Sequence, residues 1–311
     1  MMAGVSTSAL AIGSRSRSSS LVSLRAAIPD FLALTKPEVN FLIVIATFTG
    51  FYLGYPGDLQ SFPVERMLNT LFGTLLVASG TGTLNQYLEH RFDARMRRTA
   101  RRPIAAGRIS PRAAGWFGIS LSILGSVYLL STVNALSSAL AVFTATSYLF
   151  IYTPVKRKTP LCTFAGAVPG AMPPLIGWAA ASGSVVNAKA WTLYAVLFLW
   201  QFPHFMAIAW MYRVDYARAG YLVFPPGEQS GRFMSWQSLL ASLALIPVSL
   251  SPTMTSHAGL VYFVLAGLLS SLFFYYSASL AFQRSALAAR QLLLTSIVYL
   301  PLLFCLLLLE K

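Results

Sequence analysis

Apolar runs long enough to cross a bilayer recur along the whole chain, and they limit the fold before anything else is read. A hydrocarbon core of about 30 Å is crossed by a helix of about 17–25 predominantly apolar residues. The sequence predicts nine such spans, at roughly 39–55, 67–88, 113–131, 135–153, 162–182, 190–211, 235–251, 258–277 and 287–308. The runs are continuous, which excludes a transmembrane barrel of short alternating strands. Only 10% of the 311 residues are charged and 56% are hydrophobic, against about 25% charged in a soluble domain. The expected fold class is therefore all-α, a polytopic membrane protein with about nine transmembrane helices. A disordered N-terminal tail, 1–30, is expected to precede a single membrane domain, 31–311. Cys162 and Cys305 form neither a metal-ligand spacing nor a disulfide framework.

The net charge of +14 raises the question of nucleic acid. In a membrane protein the placement of the charges decides, because cytoplasmic loops collect Lys and Arg. With the N-terminus inside, only Arg66, Lys189 and Lys311 of the 23 basic residues fall outside. Topology accounts for the charge, and no nucleic acid is needed. The Ser-, Ala- and Arg-rich tail reads as a short bacterial extension, with a mitochondrial transit peptide as the alternative. The expected location is thus a bacterial inner membrane with its loops in the cytoplasm, or otherwise the mitochondrial inner membrane with its loops in the matrix.

One inner segment concentrates the charge. NQYLEHRFDARMRRTARRP, 85–103, holds two of the nine acids and six arginines. Asn85, Glu89 and Asp93 recur at every fourth position. On a helix, that step rises about 6 Å and drifts about 40°, so the three share one face at the inner end of the second span. Neighbouring pairs suit Mg²⁺, with water and phosphate oxygens completing its shell. Interfacial ion pairs with the arginines would account for the same acids. Arg98 and Arg102 belong to two arginine pairs whose guanidinium forks suit phosphate oxygens, or which simply fix topology. Asp215, in WMYRVDYARAG at 210–220, offers a second wall for the same complex. Lys156 and Arg157, in YTPVKRKTP at 152–160, add cations on the same side.

LTKP at 34–37, the run from Asn85 to Pro103, YTPVKR at 152–157, GAMPPLIGW at 170–178, WQFPHF at 200–205, DYARAG at 215–220 and SIVYLP at 296–301 together bring a family into view. The chain resembles the UbiA superfamily of intramembrane prenyltransferases from residue 31 onward. Glu89, where most relatives carry aspartate, resembles the haem-modifying branch. The resemblance implies helices around a central cavity and Mg²⁺-dependent transfer of farnesyl from farnesyl diphosphate to a vinyl group of haem B, giving haem O for terminal oxidases. It implies that Asn85, Glu89, Asp93 and Asp215 hold Mg²⁺–diphosphate and that Arg98, Arg102, Lys156 and Arg157 contact the phosphates. His204 becomes a candidate haem contact, as iron ligand or propionate donor, unless it only bonds a neighbouring helix. A haem A synthase or oxidase assembly factors are the partners implied. Ala219 stands where relatives often carry a second aspartate in the later loop, and Cys162 where they often carry asparagine.

Three other functions compete, one of them a non-catalytic assembly partner for an oxidase, against which the intact Glu89, Asp93 and Asp215 weigh. Another prenyl acceptor, a quinone precursor or a chlorin, would use the same machinery. A transporter would place ionisable residues and broken helices near mid-membrane, whereas here the charge gathers at one face.

Overall fold

The computed structural model describes residues 27–228, 230–254 and 259–311. Most of the expected tail, and His257, lie outside them. The described residues form helices and no strand. α1 covers 27–34. It is followed by α2 (Pro37–Gly54), α3 (Val64–Asp93), α4 (Pro111–Thr132) and α5 (Ala135–Thr146). A wider turn over Ser147–Tyr152 carries α5 into α6 (Thr153–Val155). Then come α7 (Cys162–Gly170), α8 (Pro173–Ser182), α9 (Ala188–Met211), α10 (Arg213–Ala219), α11 (Arg232–Met254), α12 (Leu260–Gln283) and α13 (Ala286–Leu309). Residues 27–30, expected in the tail, are already helical. Asp30 pairs with Arg108 at 2.9 Å, and Phe31 meets Phe117 edge-on, so α1 is tied to the loop before α4 and to α4 itself.

Local chemistry sets the helix starts. Ser110, Asn134 and Ser285 each accept a backbone N–H three residues on, the bond that caps an orphan donor. Pro37, Pro111 and Pro173 stand at first helical positions, where a missing N–H costs nothing.

Seven helices among the described residues are long and apolar enough to cross a membrane: α2, α4, α5 continued to Val155, α9, α11, α12 and α13. The other two expected spans differ for identifiable reasons. α3 has 30 residues, about 45 Å of helix, but its last turns are polar. The 162–182 run is two short helices, because Pro169 and the Pro173–Pro174 pair interrupt the backbone ladder between them.

α3 packs along α4, α2 along α8, α9 along α11 and α13, and α12 against α11 and α13; α13 also touches α2. Large apolar side chains such as Ile123, Val127 and Leu130 on α4, and Leu268 and Leu272 on α12, face outward. Lipid is as apolar as these residues, so helices there associate by close packing and interhelical hydrogen bonds. Both are present. A Cβ on Gly177 would lie 1.9 Å from the Thr47 carbonyl, and one on Gly50 would lie 2.0 Å from the Pro174 carbonyl. α2 and α8 therefore meet backbone to backbone. On the other side, the Tyr299 hydroxyl of α13 bonds Ser249 of α11 at 2.7 Å and Ser270 of α12 at 3.1 Å.

Gly177→Ala is expected to lower stability in detergent by about 1–3 kcal/mol. Gly267→Ala, whose added carbon meets only Leu250 at 3.9 Å, is expected to lose none. Thermal unfolding of the two variants checks the close approach.

Candidate active site

The charged end of α3 is buried. Asn85, Glu89 and Asp93 are 3%, 4% and 1% exposed, on one face as their spacing predicts. Carboxylates in such surroundings need partners, and each receives a cation from elsewhere in the chain. Lys156, just after α6, pairs with Glu89. Arg102, in the loop after α3, puts one nitrogen 2.9 and 2.8 Å from the two Asp93 oxygens.

Asn85 is held from three sides. Its Oδ1 accepts from the Lys36 ammonium at 2.9 Å. Its amide donates to Glu89 at 3.0 Å and to the Thr153 hydroxyl at 3.3 Å. Thr153 reaches it because the chain winds wide over Ser147–Tyr152, with the Thr153 N–H and hydroxyl both bonded to the Tyr148 carbonyl. Such bulges often sit at functional sites. Lys36 arrives from a bend between α1 and α2, with φ 55° and ψ 62°. That left-handed backbone costs a non-glycine residue about 1–2 kcal/mol. Burial pushes the Lys36 ammonium down to about 7, and the Arg102 charge acts in the same direction.

Asp215, in α10, is also buried. It pairs with Arg218 at 3.2 Å and accepts the Arg98 backbone N–H at 3.4 Å. The loops join further: the Leu222 N–H donates to the Lys156 carbonyl at 3.0 Å, and the Tyr221 ring lies tilted against Phe92 with centroids 5.7 Å apart. Lys156 lies over the Tyr152 and Tyr221 rings. Burial raises the Tyr221 phenol above its ordinary range, and the Glu89 charge adds to that.

The structure thus brings together Asn85, Glu89, Asp93, Arg102 and Lys156, with Asp215 joined to them through the loop at Arg98. The Arg98 and Arg157 side chains stand apart from these carboxylates. They are exposed and lie over the Tyr212 and Phe92 rings. His204 lies further along α9, against Trp200 and Ser296. Sequence reasoning missed Lys36, Thr153 and Tyr221. LTKP and YTPVKR pointed to the first two as motifs without assigning them a role.

Among the described residues no three Asp, Glu, His or Cys side chains gather closely enough to hold a metal ion alone. The donors are nevertheless all amide and carboxylate oxygens, as a hard divalent cation requires. Each already faces positive charge: Asn85 faces Lys36, Glu89 Lys156, Asp93 Arg102 and Asp215 Arg218. The set fits a cation held jointly with phosphate oxygens. Two surface recesses, about 600 Å³ beside Arg66 and Val133 and about 390 Å³ beside Leu268 and Cys305, touch none of these residues.

Fold and site together define a multi-pass helical membrane protein with a buried acid–cation cluster at one end of its bundle. The chain belongs to the UbiA prenyltransferase family, whose profile matches residues 43–306. It is 46% identical over 288 residues to a protoheme IX farnesyltransferase of Solibacter usitatus, covering 91% of this chain and 98% of that one. It is 40% identical over 289 residues to one from Koribacter versatilis, covering 91% and 93%. A solved structure concerning digeranylgeranylglyceryl phosphate synthase aligns with TM-score 0.70 at 19% identity, covering 92% and 98%. A UbiA homologue from Archaeoglobus fulgidus, bound to DMAPP and Mg²⁺, aligns with TM-score 0.60 at 16% identity, covering 89% and 99%.

Lys36 generates a pH prediction. Its folded value near 7 lies below the ordinary 10.5, so between these values the unfolded chain holds more protons at this site. Stability then rises with pH across that window and gains nothing further above it. In detergent, the unfolding midpoint of Lys36→Met is expected to rise less between pH 7 and 10 than that of the parent protein. Equal slopes would remove Lys36 from the buried cluster.

Proposed function

We propose that this protein transfers farnesyl from farnesyl diphosphate to a vinyl group of haem B, making haem O and releasing diphosphate. The observation that carries the reading is the buried row Asn85–Glu89–Asp93, faced by cations from three separate segments inside an apolar bundle. Kinship with protoheme IX farnesyltransferases supports the acceptor.

The residues have distinct parts. Asn85, Glu89, Asp93 and Asp215 would hold Mg²⁺, which when bound supplies positive charge to the diphosphate leaving group. Lys36, Arg102 and Lys156 lie beside those oxygens and can turn toward phosphate oxygens, stabilising the charge that grows as the allylic C–O bond breaks. The exposed Arg98 and Arg157 are suited to meeting the incoming diphosphate. The electron pair of the broken bond leaves with diphosphate. The haem vinyl group supplies the pair that forms the new C–C bond. Water then adds to the resulting cation and loses a proton, giving the hydroxyethylfarnesyl group. The apolar helices around the cluster keep water from the allylic cation until transfer is done. His204 contributes to holding the haem. The membrane domain is 31–311, with the site on the cytoplasmic side of a bacterial inner membrane; the distribution of basic residues supports that orientation.

The assay combines purified protein, haem B, farnesyl diphosphate and Mg²⁺, and mass spectrometry seeks the hydroxyethylfarnesyl adduct. A metal-dependent haem O peak is expected. Its absence from folded protein that still releases diphosphate with a quinone precursor would assign a different acceptor. Asp93→Asn is expected to lower turnover at least about a hundredfold, the scale of losing one electrostatic stabiliser, in protein that stays folded. Arg102→Ala is expected to weaken farnesyl diphosphate binding more than haem binding. Equal weakening in calorimetric titrations would reduce Arg102 to a structural partner of Asp93.

A further inference from the structure

His204 follows Pro203 on α9 and is clamped by its neighbours. Its ring stacks on Trp200 with centroids 4.6 Å apart and planes 23° apart. Trp200 is itself fixed, because its Nε1 donates to the Ser296 carbonyl of α13 at 2.8 Å. His204 Nδ1 lies 2.7 Å from the Ser296 hydroxyl oxygen.

That last contact bears on which nitrogen carries the proton. A serine hydroxyl has one hydrogen. Ser296 donates it to the Leu293 carbonyl at 2.6 Å. The Ser296 oxygen is then left to accept, which assigns the donor role to His204 Nδ1. A neutral imidazole has one donor and one acceptor nitrogen, and Nε2 therefore keeps its lone pair. No described residue forms a hydrogen bond with Nε2, and the side chain is partly exposed. A histidine that only joins two helices would make the same Ser296 bond and has no need of a free Nε2. A metal-binding histidine does: one N–H is given to an oxygen, and the other nitrogen is left bare and oriented.

We infer that His204 Nε2 would ligate the haem iron, and that Ser296 and Trp200 are its positioning residues. This rests on haem as the acceptor, as proposed above. Of the two contacts the sequence left open, it favours the iron, because a neutral ring protonated at Nδ1 offers a lone pair and no hydrogen at Nε2. The step is a coordination: the Nε2 lone pair is donated to iron, and no proton or redox equivalent moves. Along α9, His204 lies seven residues from Met211, about 10 Å, at the end that leads into Asp215.

The test titrates the purified full chain with haem B and, in parallel, with metal-free protoporphyrin IX, which keeps the propionates and lacks iron. The wild type with haem B is expected to give the absorption and resonance Raman signature of a nitrogen-ligated iron. His204→Gln is expected to lose that signature and to bind haem B at least about tenfold more weakly, with metal-free porphyrin binding unchanged. Ser296→Ala is expected to weaken haem B about tenfold and disturb the signature, and Ser296→Thr to restore both. Equal losses for the two porphyrins in His204→Gln would overturn iron ligation in favour of a propionate or packing contact, and so would an unchanged signature. If His204→Gln unfolds, Ser296→Ala decides, and an unchanged signature and affinity there overturn the positioning role. A wild type that binds neither porphyrin yet releases diphosphate with another acceptor would instead defeat the haem reading itself.

Discussion

Two carboxylates at the end of α3 are taken out of water, and much of that half of the molecule is arranged around that fact. Glu89 and Asp93 cannot stay charged in an apolar bundle without cations. Lys156 and Arg102 supply them, and Lys36 completes the row at Asn85. These partners come from the α1–α2 bend, the loop after α3 and the turn after α6. Breaking one buried pair by removing a partner costs about 3–5 kcal/mol. The polar cluster therefore fixes the loops as firmly as the apolar contacts fix the spans.

The spans are fixed by different means. With lipid outside, burying apolar surface between helices gains little, and contact has to come from shape and from hydrogen bonds. Gly50 and Gly177 let α2 and α8 touch through their backbones. Tyr299 ties α11, α12 and α13 together, and Trp200 with His204 ties α9 to α13. α3 is the exception: it is too long for the bilayer and polar at its end, so it carries the acids to the place where the loops converge.

This arrangement suits chemistry that separates charge. Cations that neutralise carboxylates in the protein can also meet the negative charge growing on a leaving diphosphate. Apolar walls shelter the positive fragment that remains. The two needs place the charged cluster at one end of the bundle and greasy surface next to it, which is what α3 and its neighbours provide.

The sequence by itself determined the helical membrane class, most span edges and the shared face of Asn85, Glu89 and Asp93. Those properties depend on hydropathy and on a period of 3.6 residues, and both are local. Only the tertiary structure decided the rest. It split the 162–182 run at its prolines, drew Lys36 and Thr153 onto Asn85, and left the Arg98 and Arg157 side chains on aromatic rings away from the acids. It also set His204 against Ser296, 92 positions along the chain. Such pairings depend on which helices become neighbours and on a widened turn at Ser147–Tyr152, and no repeat along the chain encodes them.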